Sequence, residues 1–137
     1  MVEVGSNDGT FLRNFKRQEC QVVGVEPAQN IAKLAVSAGI PTRSEFFDVD
    51  TATSLYSEFG PADVVIARNV IPHVADIHTV LEGITRLLGR SGLVAIEFHY
   101  AGSILEGLQY DAIYHEHLFY FSLETLGAVC ESHGLHA

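Results

Sequence analysis

Met1-Val2-Glu3-Val4-Gly5-Ser6-Asn7-Asp8-Gly9-Thr10 runs from an apolar segment, through a turn flanked by two glycines, into an amphipathic stretch over residues 11–17. A short apolar run is strand material, and apolar residues at helical spacing follow the turn. Glycines at such a junction let the backbone fold tightly and let a ligand approach it closely. The rest of the chain repeats the alternation. Residues 21–25 read as a second strand, 31–38 as a helix closed by Gly39, and 42–46 as a short third strand. A helix over 51–59 is broken by Gly60-Pro61, and 62–67 is a fourth strand whose Val64-Val65-Ile66 is apolar on both faces. A helix over 77–88, a fifth strand over 93–98, an irregular segment and a last helix over 123–133 complete the pattern.

Strands alternating with helices predict an α/β fold, an open, doubly wound, mainly parallel Rossmann-like sheet. Ligands of such sheets bind beyond the carboxyl ends of the strands. Functional residues are therefore expected just after Val4, Val25, Phe46, Ala67 and Phe98. The chain opens inside its first strand and closes just after a helix, so one domain over 1–137, truncated at both ends, is the expectation.

Composition narrows the classes of partner. The chain has 137 residues, 47% hydrophobic and 18% charged, the profile of a globular domain and not of a disordered segment. A net charge of -9 repels phosphate backbones, which argues against nucleic acid. No apolar run is long enough for a membrane span, and no signal peptide is recognisable. Cys20 and Cys130 belong to no CxxC pair, so neither a zinc nor a disulfide framework is expected, and reduced thiols suit a cytoplasmic setting.

The first loop bears on the cofactor. Glu26 ends the second strand about 20 residues after the glycine turn, where a carboxylate can accept both ribose hydroxyls. That fits a dinucleotide and S-adenosyl-L-methionine equally. Asp8 inside the loop, with no third glycine, would repel a pyrophosphate but tolerates an ammonium and a sulfonium. The expected cofactor is thus S-adenosyl-L-methionine, held by Glu3, Gly5, Ser6, Asn7, Asp8, Gly9, Glu26 and Pro27. One ring of Phe46-Phe47 is expected over the adenine, the other in the core, and Asn69 at the methionine portion or the substrate. Glu3 at a strand end and Asp8 as a helix cap are the plain alternatives.

The chemistry is carried by Tyr110-Asp111-Ala112-Ile113-Tyr114-His115-Glu116-His117-Leu118-Phe119-Tyr120-Phe121. His-x-His can suggest a metal, but no third ligand is evident and none is expected. An imidazole titrates near neutrality and suits a general base, a neighbouring carboxylate can orient it, and a tyrosine can hold a substrate oxygen. His117, Glu116 and Tyr114 fit these roles. An aromatic loop packed beneath the last helix is the competing reading.

These residues resemble the sugar C-methyltransferases, which act on nucleotide-linked 4-keto-6-deoxyhexoses in deoxysugar biosynthesis. The resemblance rests on residues 3–9, Gly24-Val25-Glu26-Pro27-Ala28 with Asn30, Ala67-Arg68-Asn69-Val70 with His73, and above all Tyr114-His115-Glu116-His117-Leu118 with Tyr120-Phe121-Ser122-Leu123. It implies that His117 is the general base, with Tyr114 and Glu116 beside it, and that the substrate is a nucleotide-linked keto-sugar. His99 stands where the family has proline, and Ile71-Pro72 where Phe-Ala is usual. The family also carries an amino-terminal zinc lobe and a carboxyl-terminal domain, which these 137 residues do not include. An O- or N-methyltransferase of another small molecule shares the cofactor loop but leaves the histidine segment unexplained. A binding module without catalysis is the third possibility.

Overall fold

The computed structural model describes residues 1–136. The elements are β1 (Val2–Val4), α1 (Thr10–Lys16), β2 (Val23–Val25), α2 (Gln29–Ser37), β3 (Thr42–Arg43), α3 (Val49–Phe59), β4 (Ala62–Arg68), α4 (Ile77–Leu87), β5 (Leu88–Glu97), α5 (Ala101–Glu106) and α6 (Leu123–Ser132). The strands form one sheet in the order β3-β2-β1-β4-β5, and every pairing is parallel. This is the expected doubly wound α/β architecture. The chain winds outward from β1 to β3, returns to β4 beside β1, and continues outward to β5. All strand ends that lead into helices share one edge, and a crevice must open where the order reverses, beyond β1 and β4.

Burial explains the layers. Val4, Val25, Val65 and Ala67 from the strands pack against Leu55, Ile71, Leu81, Ile84 and Leu87 in one core. Leu12, Val22, Ala35 and Ile40 form a smaller core on the opposite face. Local chemistry sets the helix ends. Asp48 accepts from the Thr51 N–H at 2.8 Å to start α3, and Asp76 accepts from the His78 and Thr79 N–H groups at 3.0 and 3.3 Å to start α4. Ser122 and Thr125 form a reciprocal capping box at α6. Gly39, with φ 83°, ends α2 in the left-handed conformation that side chains resist.

Three elements differ from expectation. β3 stops at Arg43, because β2, its partner among the described residues, ends at Val25, the residue opposite Arg43; Phe46 and Phe47 therefore lie beyond the strand. β5 begins at Leu88, directly after α4, and pairs Leu88 with Ala62 across a register shift near Val64. Residues 89–92, which lie between the expected helix and the expected strand, belong to β5. The segment after β5 contains α5, whose six residues are too few to display a helical period.

Candidate active site

A crevice of about 960 Å³ opens at the carboxyl edge between the two halves of the sheet. That lies near the upper end of the about 300–1,000 Å³ common for small-molecule sites, enough for a nucleoside and a second ligand. Gly5 and Asn7 follow β1 on its wall, Glu26 and Pro27 follow β2, and Phe46 and Phe47 follow β3. Arg68, Asn69 and His73 enter from the end of β4, and Glu116 from the loop after α5. Glu26 is pinned by the backbone: Oε1 accepts from the Ala28 N–H at 2.9 Å and Oε2 from the Asn7 N–H at 3.0 Å. The carboxylate thus joins the first loop to the end of β2. Phe46 is 78% exposed and Phe47 is 7% exposed, so one ring is free to cover a ligand while the other packs in the core.

Four residues expected at the cofactor lie elsewhere. Glu3 is fully buried, its Oε1 accepting from Arg68 Nε at 3.0 Å and Nη2 at 2.9 Å. Burial pushes its carboxyl above the usual value of 4.5, and the Arg68 guanidinium offsets this in part. Arg68 in turn lies 3.9 Å from the ring centre of Phe11. The Ser6 hydroxyl is buried with no partner among the described residues and closes on Gly24, where any side chain would meet it. Asp8 accepts from the Thr10 N–H at 3.0 Å, which serves the first turn of α1, and the Thr10 hydroxyl together with that N–H holds its carboxyl below the usual 3.8. Gly9 packs against Ile40 and Ala35. Asp8 therefore serves the start of α1 and does not line the crevice.

The histidine segment folds over the short turn Ile71–His73. The Leu118 and Phe119 N–H groups donate to the Pro72 carbonyl at 2.8 and 3.3 Å. His73 Nδ1 lies 2.9 Å from the Glu116 carbonyl, and His117 Nδ1 lies 2.8 Å from the Ala112 carbonyl. A carbonyl oxygen only accepts, so both imidazoles carry their proton on Nδ1 and leave Nε2 as the basic nitrogen. The His117 ring centre is 4.4 Å from Tyr114, 4.8 Å from His73, 5.5 Å from His99 and 5.9 Å from Tyr120. His117 and Tyr114 are thus in contact with each other, but Glu116 and His73, not these two, line the crevice, and the partner that orients His117 is different. The Ala112 carbonyl, and not the Glu116 carboxylate, fixes the imidazole. Backbone partners such as this have no residue-type signature, so the sequence offers no sign of it.

Glu97 was missed. It ends β5 and accepts from Asn69 Nδ2 at 2.8 Å, while its carbonyl accepts from the Asn69 N–H at 2.8 Å. Its place at a strand end, like that of Glu26, is the signal that marks it. No group of three metal-binding side chains is found among the described residues. No helix there is long and apolar enough to cross a membrane, and Cys20 and Cys130 are free thiols.

A family model described as a methyltransferase domain matches residues 1–137. The chain is 40% identical over 135 residues to the C-methyltransferase NovU of Streptomyces niveus, a match covering 98% of this chain and 32% of NovU. It is 30% identical over 100 residues to the ubiquinone biosynthesis O-methyltransferase of Bradyrhizobium sp. (strain ORS 278), covering 70% of this chain and 38% of that protein. The chain spans about a third of the length of these relatives. Among solved structures, an S-adenosylmethionine-dependent methyltransferase from Archaeoglobus fulgidus superposes with a TM-score of 0.79 at 18% identity, over 97% of this chain and 59% of that one. The sugar N-methyltransferase KedS8 from Streptoalloteichus sp. gives 0.61 at 20% identity, over 74% and 42%. These two share the fold.

Proposed function

The chain belongs to the methyltransferase domain family, and on that premise we propose that it binds S-adenosyl-L-methionine in the crevice and directs methyl transfer to a carbon beside a ketone of a nucleotide-linked deoxysugar. His117 is the general base in this reading. The crevice fits the cofactor. The Glu26 carboxylate keeps lone pairs for two ribose hydroxyls after accepting its two backbone N–H groups, and the exposed Phe46 ring is the proposed cover for the purine face. When bound, S-adenosyl-L-methionine supplies an electrophilic methyl group on a sulfonium.

The observation that carries the reading is the fixed tautomer of His117. With Nδ1–H committed to Ala112, Nε2 is the basic atom, and it needs no rearrangement to accept a proton. A ketone acidifies the hydrogen on the neighbouring carbon. His117 Nε2 takes that proton, and the electron pair moves into an enolate. Tyr114, packed against the imidazole, is the proposed donor to the developing oxyanion. The Nδ1–H stays bonded to the Ala112 carbonyl throughout, so the ring keeps its orientation as Nε2 takes up the second proton.

The test is wash-in of solvent deuterium at the carbon beside the ketone, with nucleotide-linked 4-keto-6-deoxyhexoses as substrates. His117→Ala is expected to slow exchange and methyl transfer by about 10²–10⁴-fold, while S-adenosylmethionine affinity stays near wild type. Retained exchange removes His117 as the base. The ubiquinone biosynthesis relatives favour O-methylation as a second reading. It predicts no carbon-bound exchange and methylation of a hydroxyl acceptor.

A further inference from the structure

We infer that Glu97 is a positioning residue: it fixes the side-chain amide of Asn69 so that Oδ1 accepts from the ammonium of the cofactor's amino-acid tail. This rests on the cofactor reading above. Asn69 stands at the end of β4 on the crevice wall. Its φ is 52°, in the left-handed region where asparagine is among the few side chains tolerated. Two bonds to one residue hold it there. The Asn69 N–H donates to the Glu97 carbonyl at 2.8 Å, extending the β4–β5 ladder, and Nδ2 donates to Glu97 Oε1 at 2.8 Å.

A free amide can turn over and present either end to a ligand. A carboxylate only accepts, so it selects the orientation with Nδ2 toward Glu97. Oδ1 is left as an acceptor with no donor among the described residues. The site therefore discriminates by chemistry: it accepts an ammonium or hydroxyl and offers nothing to a carboxylate. Of the groups on the proposed cofactor, the α-ammonium is the strong donor that matches. The contact polarises the amide as well, because a charged acceptor on Nδ2 increases the negative charge on Oδ1. The sequence places Glu97 at the end of its strand, at the edge that also carries Glu26, but not its partner.

Two ligands separate this role from a structural one. S-adenosylhomocysteine carries the amino-acid tail, and 5′-methylthioadenosine is the same nucleoside thioether without it. Calorimetric titration of Glu97→Ala is expected to show about 10- to 100-fold weaker binding of S-adenosylhomocysteine, the usual loss for a charge-assisted hydrogen bond, with the affinity for 5′-methylthioadenosine unchanged. Glu97→Gln keeps an acceptor for Nδ2 and is expected to recover most of the loss. In an Asn69→Ala background, Glu97→Ala is expected to add nothing. Equal losses for the two ligands, or an unchanged affinity for S-adenosylhomocysteine, overturn the proposal. So does a full Glu97 effect without Asn69, which would mean direct attraction of the ammonium by the carboxylate. Failure of the unsubstituted protein to bind either ligand would instead overturn the cofactor reading.

Discussion

At the scale of single residues, position along a strand proved more informative than residue type. Glu26 and Asn69 follow strands and reach the crevice; Glu3 lies inside β1 and is buried, and Ser6, although it follows β1, closes on Gly24. β1 is the central strand and all three of its residues are buried, so a carboxylate within it is enclosed whichever face it takes. Glu26 makes the most direct test of the cofactor half. Glu26→Ala should weaken S-adenosylmethionine binding by about 1–3 kcal/mol, the loss of two charged-acceptor bonds, as read by calorimetry. An unchanged affinity removes Glu26 from the site. The cluster around His117 was legible because histidine and tyrosine are costly to place near a core without use. Its fixing carbonyl on Ala112 was not, since every residue owns one.

At the scale of elements, the strongly apolar β4 and the capped helices were readable, and the edges of the sheet were not. Among the described residues β3 and β5 each have one neighbour, so their lengths depend on where β2 and β4 end and not on their own composition. β5 runs for ten residues with its outer edge unpaired among the described residues, and Leu93 on it is 69% exposed. An unpaired edge carrying exposed apolar side chains invites pairing with another copy. The chain should therefore self-associate as its concentration rises, and Leu93→Lys should shift it toward monomer in sedimentation velocity. A wild-type chain that stays monomeric across the accessible range contradicts this.

At the scale of the whole molecule, buried and exposed carboxylates act in opposite directions on stability. Asp8 and Asp76 have folded values held below 3.8 by hydrogen bonds from Thr10 and Thr79, so their contribution is present above that value and fades as pH falls. Burial raises Glu3 above 4.5, so its contribution is complete below 4.5 and is lost as pH rises through its folded value. Glu3→Gln should flatten the decline on the neutral side and leave the acid limb in place, as measured by denaturant unfolding across a pH series. A variant whose profile parallels wild type assigns the decline to another group. The reversal of strand order between β1 and β4 has a different kind of consequence. Glu26, Phe46 and the glycine turn hang from one half of the sheet, while His73 and the histidine loop hang from the other. Below the crevice the halves are joined by the β1–β4 ladder and by α3 packed on α4. A lineage can exchange the loop beyond β5 for one with another reactive group, and so acquire a new acceptor, without disturbing the half that holds the donor; the seam in the sheet is where this scaffold can be recombined.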